Sequence, residues 1–83
     1  LEIQAGIGRI QLERMAEWTP RRAAIAARYA ETLAPFADAV RVPQPGPGFQ
    51  HAWYRFYAYV DPAALATGWD RDRIVAEVTA RGV

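Results

Sequence analysis

The hydrophobic pattern changes period along the chain. From residue 1 to 18 it is helical: Ile3, Ile7 and Ile10 recur on one side, and Leu12, Met15 and Trp18 carry the apolar surface round the cylinder. Glu2, Arg9 and Glu13 share one narrow polar stripe, which leaves an apolar arc wide enough to pack on more than one side. Gly6 and Gly8 each cost about 1 kcal/mol relative to Ala in a helix interior, tolerable if another backbone passes close by. Thr19-Pro20 reads as a restart, with Thr as N-cap and Pro at the first helical position. Ile25, Tyr29, Leu33 and Phe36 continue at helical spacing until Pro35 marks the end. The pattern predicts a second helix over about 20–34, or one long helix kinked at Pro20.

Beyond Pro35 the pattern turns to alternation. Val40-Arg41-Val42 predicts a short strand, and the proline-rich run 43–48 predicts a loop. His51 to Val60 predicts the main strand, with Trp53, Tyr57 and Tyr59 on one face and Tyr54, Phe56 and Val60 on the other. Both faces are apolar, as for a strand covered on both sides. Asp61-Pro62 ends it. Asp70 is a good N-cap for a last helix bearing Ile74, Val75 and Val78, with a Trp69–Ile74 staple at its start and Gly82 as its stop. The order helix-helix-strand-strand-helix is α+β, with helices laid over a small sheet. Two strands are marginal as a sheet on their own.

Composition sharpens this picture. At 83 residues the chain is one domain or part of one, and no cysteine is present to staple it. Yet 52% of the residues are hydrophobic and three are Trp, so the apolar surface calls for a partner or further chain to cover it. Leu rather than Met at position 1 gives the same expectation of a piece of a longer protein. The formal charge is +1, with acidic and basic residues interspersed, so nucleic acid is not an expected partner. No apolar run reaches membrane-spanning length and no signal peptide is visible. The absence of cysteine permits a cytoplasmic location.

Four features invite a chemical reading, and each has a plainer one. Gly6-Ile7-Gly8 supplies two glycines of a phosphate loop but lies inside a helical pattern with no strand before it. His51, the only histidine, could form a polar site with Tyr54 and Arg55; one histidine without a positioned partner reads as a surface residue at a strand entry. The Trp53-Tyr54-Phe56-Tyr57-Tyr59 cluster could stack bases, but a packed core suits the charge balance better. Arg21-Arg22 could clamp a phosphate; the plainer reading is a solvated first helical turn.

A more specific signal lies in the order of residues. Leu1-Glu2-Ile3-Gln4-Ala5-Gly6-Ile7-Gly8-Arg9-Ile10-Gln11-Leu12 resembles the L-E-I-Q-A-A-I-G-R-x-Q-L stretch of the DegT/DnrJ sugar aminotransferases, with Gly6 in place of the usual Ala. Glu17 to Tyr29 is similar to that family's long basic helix ending in Arg-Tyr. The segments His51 to Tyr57 and Trp69 to Ile74 also resemble family members, in the same order along the chain.

The resemblance implies a fold-type I transferase dependent on pyridoxal 5'-phosphate. Residues 1–36 would be the helix or kinked pair leading out of the large domain, and residues 37–83 part of the C-terminal small domain. It implies a homodimer that moves an amino group from glutamate to a nucleotide-linked keto sugar, in lipopolysaccharide, other surface-polysaccharide or related sugar biosynthesis. A relative acting as a regulator is equally consistent with these residues. The Schiff base with the cofactor needs a lysine, and all ten basic residues here are Arg. The family's lysine would therefore lie upstream, its Asn and Arg of the N-Y-R-M segment just before Leu1, and its substrate-facing loop after Val83. No catalytic, cofactor-binding or metal residue is carried onto a position of this sequence, and the 83 residues alone are expected to bind no cofactor. A stand-alone module binding protein or nucleic acid through its aromatic strand is the alternative from another class.

Overall fold

The computed structural model describes residues 1–83. A single helix, α1 (Glu2–Leu33), takes up the first part of the chain, and Pro20 lies within it. The restart at Thr19-Pro20 is not used; the long-helix alternative is the one observed. Proline removes one intrahelical bond and crowds the carbonyl four residues back. Ending the helix there would instead orphan up to four N–H and four C=O groups. The flanking residues, Leu12 to Glu17 and Arg21 to Ala27, are mostly strong helix formers, so continuity wins. Thr32 turns its hydroxyl back to the Arg28 carbonyl (2.8 Å), and a 3-10 turn (Ala34–Phe36) containing Pro35 follows α1.

The sheet is much smaller than the alternation predicts. Strand β1 (Val40–Arg41) pairs antiparallel with β2 (Tyr59–Val60), placing Val40 opposite Val60 and Arg41 opposite Tyr59. One further bond, Asp61 N–H to the Ala39 carbonyl (2.8 Å), extends the pair. The expected strand from His51 to Val60 is thus corrected to its last two residues. A strand apolar on both faces needs neighbours at its edges. Here β1 cannot lengthen to supply one, because Pro43, Pro45 and Pro47 have no N–H to donate and Pro43 restricts Val42. Gly46 to Phe49 forms a tight turn instead, with Phe49 N–H bonded to the Gly46 carbonyl (3.2 Å) and Gly48 at φ 80°. Pro followed by a positive-φ Gly matches a type II turn.

The last helix, α2 (Arg71–Ala80), is capped at both ends as its sequence predicts. The Asp70 carboxylate accepts from Arg73 N–H (2.7 Å). At the other end Gly82 (φ 92°) donates to the Thr79 carbonyl (3.0 Å), and Val83 N–H reaches the Val78 carbonyl (3.4 Å). Those two bonds are the Schellman pattern that lets a helix stop on glycine. Ahead of α2, Asp61 accepts from Ala63 N–H (3.0 Å) and starts a second 3-10 turn (Pro62–Ala64). The Trp69 indole stacks with the Arg73 guanidinium, which lies 4.1 Å from its centroid.

The chain divides into two units: Leu1–Thr32 with Pro45–Phe56, and Leu33–Gln44 with Tyr57–Val83. The architecture is therefore one long helix, a two-stranded sheet and one short helix, which keeps the α+β class while replacing the helix-helix start by a single helix. Only Ala26 is buried; Ile3, Ile7 and Ile10 are 79, 54 and 52% exposed. A Cβ at Gly6 or Gly8 would meet nothing within 4 Å.

Candidate functional site

In the first unit an aromatic row ties residues 49–56 to α1. Tyr29 on α1 meets Phe56 at 5.3 Å between centroids, Phe56 meets Trp53 at 5.9 Å, and Trp53 stacks on His51 at 4.2 Å. Met15, Thr19 and Ala23 of α1 line a cleft with Phe49, His51 and Trp53. The row explains why Trp53 and Phe56 are half-buried on the same side, against the alternation expected of a strand. Tyr54, Tyr57 and Tyr59 stay exposed, so the aromatic cluster does not form the packed core predicted for it. Tyr54 lies under the Arg55 guanidinium (5.7 Å).

His51 is exposed, as expected, but it is not at a strand entry and it does have a partner. Its Nδ1 accepts a hydrogen bond from the Trp53 backbone N–H at 2.7 Å. Trp53 is the one non-glycine residue with positive φ, 51°. Alternation hid this contact, because a strand would send residues 51 and 53 to one face without bending the backbone between them. An i to i+2 acceptor of the Asx-turn kind was the available signal.

Arg21 and Arg22 lie in the middle of α1, not in a first turn. Both are exposed, and with Trp18 and Ile25 they border an open surface depression. Neither makes an ion pair. Gly6-Ile7-Gly8 is helical throughout and forms no phosphate loop.

In the second unit Arg41 rests on its cross-strand partner Tyr59 (4.8 Å to the ring centroid). Arg73 adds a bond to the Gly68 carbonyl (3.0 Å) to its stacking on Trp69, which fixes the turn ahead of α2. The Arg71–Asp72 pair (2.6 Å) is fully solvated; the Asp72 hydrogen bond and charge raise the Arg71 pKa, with no consequence at pH values where proteins fold.

This inventory does not fit a pyridoxal phosphate anchor. The cofactor's aldehyde requires a primary amine, and no side chain in the 83 residues has one. No group of three His, Cys, Asp or Glu could hold a metal ion. No helix is long and apolar enough to cross a membrane.

No solved structure matches the chain. The sequence model of the DegT/DnrJ/EryC1/StrS aminotransferase family matches residues 1–83, the whole chain, in agreement with the motifs at Leu1–Leu12, Glu17–Tyr29, His51–Tyr57 and Trp69–Ile74. The chain belongs to the DegT/DnrJ/EryC1/StrS aminotransferase family.

Proposed function

We propose that these residues are the non-catalytic part of a pyridoxal-phosphate-dependent sugar aminotransferase. The parent transfers an amino group from glutamate to a nucleotide-linked keto sugar, in cytoplasmic synthesis of surface polysaccharide such as lipopolysaccharide. Residues 1–36 carry the chain out of the large, fold-type I cofactor domain, and residues 37–83 begin the small C-terminal domain. The parent is a homodimer. One observation carries the reading: a family match spanning every residue of a chain that has no lysine. The chemistry of the family needs that amine, so it belongs to another segment of the same protein. The exposed Ile3, Ile7 and Ile10 fit this place, because burying each against the large domain contributes about 1.5–3 kcal/mol.

The test is made on the intact parent. It is expected to bind pyridoxal phosphate, seen by its absorbance, and to aminate a nucleotide keto sugar from glutamate. A folded parent that binds no cofactor sinks the proposal. A regulatory relative is the outcome if cofactor is bound and no transfer follows with a panel of nucleotide keto sugars.

A further inference from the structure

We propose that His51 is a pH-sensitive latch that holds residues 49–56 in their bent conformation against α1. The latch is closed when the imidazole is neutral and open when it is protonated.

The geometry carries three linked observations. The Trp53 backbone sits at φ 51°, a region that residues with a side chain adopt only when something holds them there. What holds it is the 2.7 Å bond from Trp53 N–H to His51 Nδ1. With Nδ1 accepting, the neutral ring carries its proton on Nε2. The same two residues stack at 4.2 Å, and the row continues through Phe56 to Tyr29 on α1. The bend at Trp53 therefore sets whether the row can form.

Protonation removes the acceptor. An imidazolium bears N–H on both nitrogens, so the Trp53 N–H then faces another donor instead of a lone pair. Ring stacking tolerates the charge, but it does not hold a backbone dihedral. Trp53 relaxes to negative φ, and the row parts between Trp53 and Phe56. Histidine is the side chain whose charge ordinarily changes between pH 5 and 8.

Few neighbouring charges compete for control. The cleft residues from α1 (Met15, Ala16, Thr19, Pro20 and Ala23) carry no ionisable group. Phe49, Gln50 and Trp53 complete its lining beside His51, and none of them titrates either. Glu17, Arg21 and Arg22 belong to the same turns of α1 without lining the cleft; Tyr54 and Arg55 follow in sequence and pair with each other. The inference is independent of the aminotransferase reading, and its readout involves no catalysis.

The experiment is amide hydrogen exchange with imidazole 15N shifts, on the intact 15N-labelled protein at about pH 8 and about pH 5. After correction for intrinsic exchange, the Trp53 amide is expected to lose about tenfold protection at the lower pH, in step with His51 protonation. His51→Asn supplies an oxygen that accepts from the same N–H without titrating. It is expected to keep protection at both pH values, while His51→Ala loses it at both. Undiminished Trp53 protection with His51 protonated overturns the latch, as does the same pH step persisting in His51→Ala.

Discussion

Gly6 and Gly8 face open space on α1, so an added methyl group at either meets no atom and gains helix propensity. Gly6→Ala and Gly8→Ala are each expected to stabilise the helix of this chain by about 0.5–1 kcal/mol, read as increased helicity and a higher denaturation midpoint. The family stretch that Leu1–Leu12 resembles has Ala at the first of these positions and keeps Gly at the second. In the intact parent, Gly8→Ala is accordingly expected to be neutral or destabilising, because a covering element there would meet the new methyl. Asp70 acts through one oxygen on Arg73 N–H. Asp70→Ala is expected to cost about 1 kcal/mol of α2 stability and Asp70→Asn much less, measured by exchange protection of the first-turn amides. The lysine count bears on reactivity at the same scale. Treating the chain with pyridoxal phosphate and borohydride is expected to modify no side chain, so peptide mass mapping should find label only at the α-amino group.

Helix α1 shows local preference overruling a local signal. Thr19-Pro20 carries both marks of a helix start, yet the residues on either side are helical and the helix continues through them. Breaking there would orphan several backbone groups, whereas continuing forfeits one bond. Pro20→Ala restores that bond and is expected to raise α1 stability by up to about 3 kcal/mol, seen in urea melts followed at a helical wavelength. The caps of α2 and the Gly46–Phe49 turn were legible residue by residue, since Asp70, Gly82, Pro47 and Gly48 each act on backbone groups within five positions. Strand β2 was legible only in part. Val40–Val60 and Arg41–Tyr59 pair as alternation suggests, but residues 51–58 are apolar on both sides with no strand beside them to make use of it. His51 and Trp53 settle that stretch through a backbone-to-ring bond that periodicity cannot encode.

Across the chain the mismatch is between apolar content and burial. Ala26 is the single buried residue, while Ile3, Ile7, Leu12 and Ile25 remain more than half exposed. In the proposed parent such patches would be covered by the large domain. In each unit taken alone the apolar side chains lack partners, so a hydrophobic dye is expected to bind the isolated chain strongly and the intact parent weakly; equal binding to both would count against the proposed place in an aminotransferase. Sequence by itself determined the caps of α2, the loop after β1, the family, and that no side chain here can form a Schiff base. Those follow from side-chain chemistry and contacts within a few positions. Local helix preference carried α1 through Pro20; tertiary structure alone decided that the aromatic segment bends instead of extending and that His51 closes on Trp53. Both of those tertiary outcomes depend on which backbone groups and ring faces find partners in space, and a linear pattern of apolar positions does not specify partners.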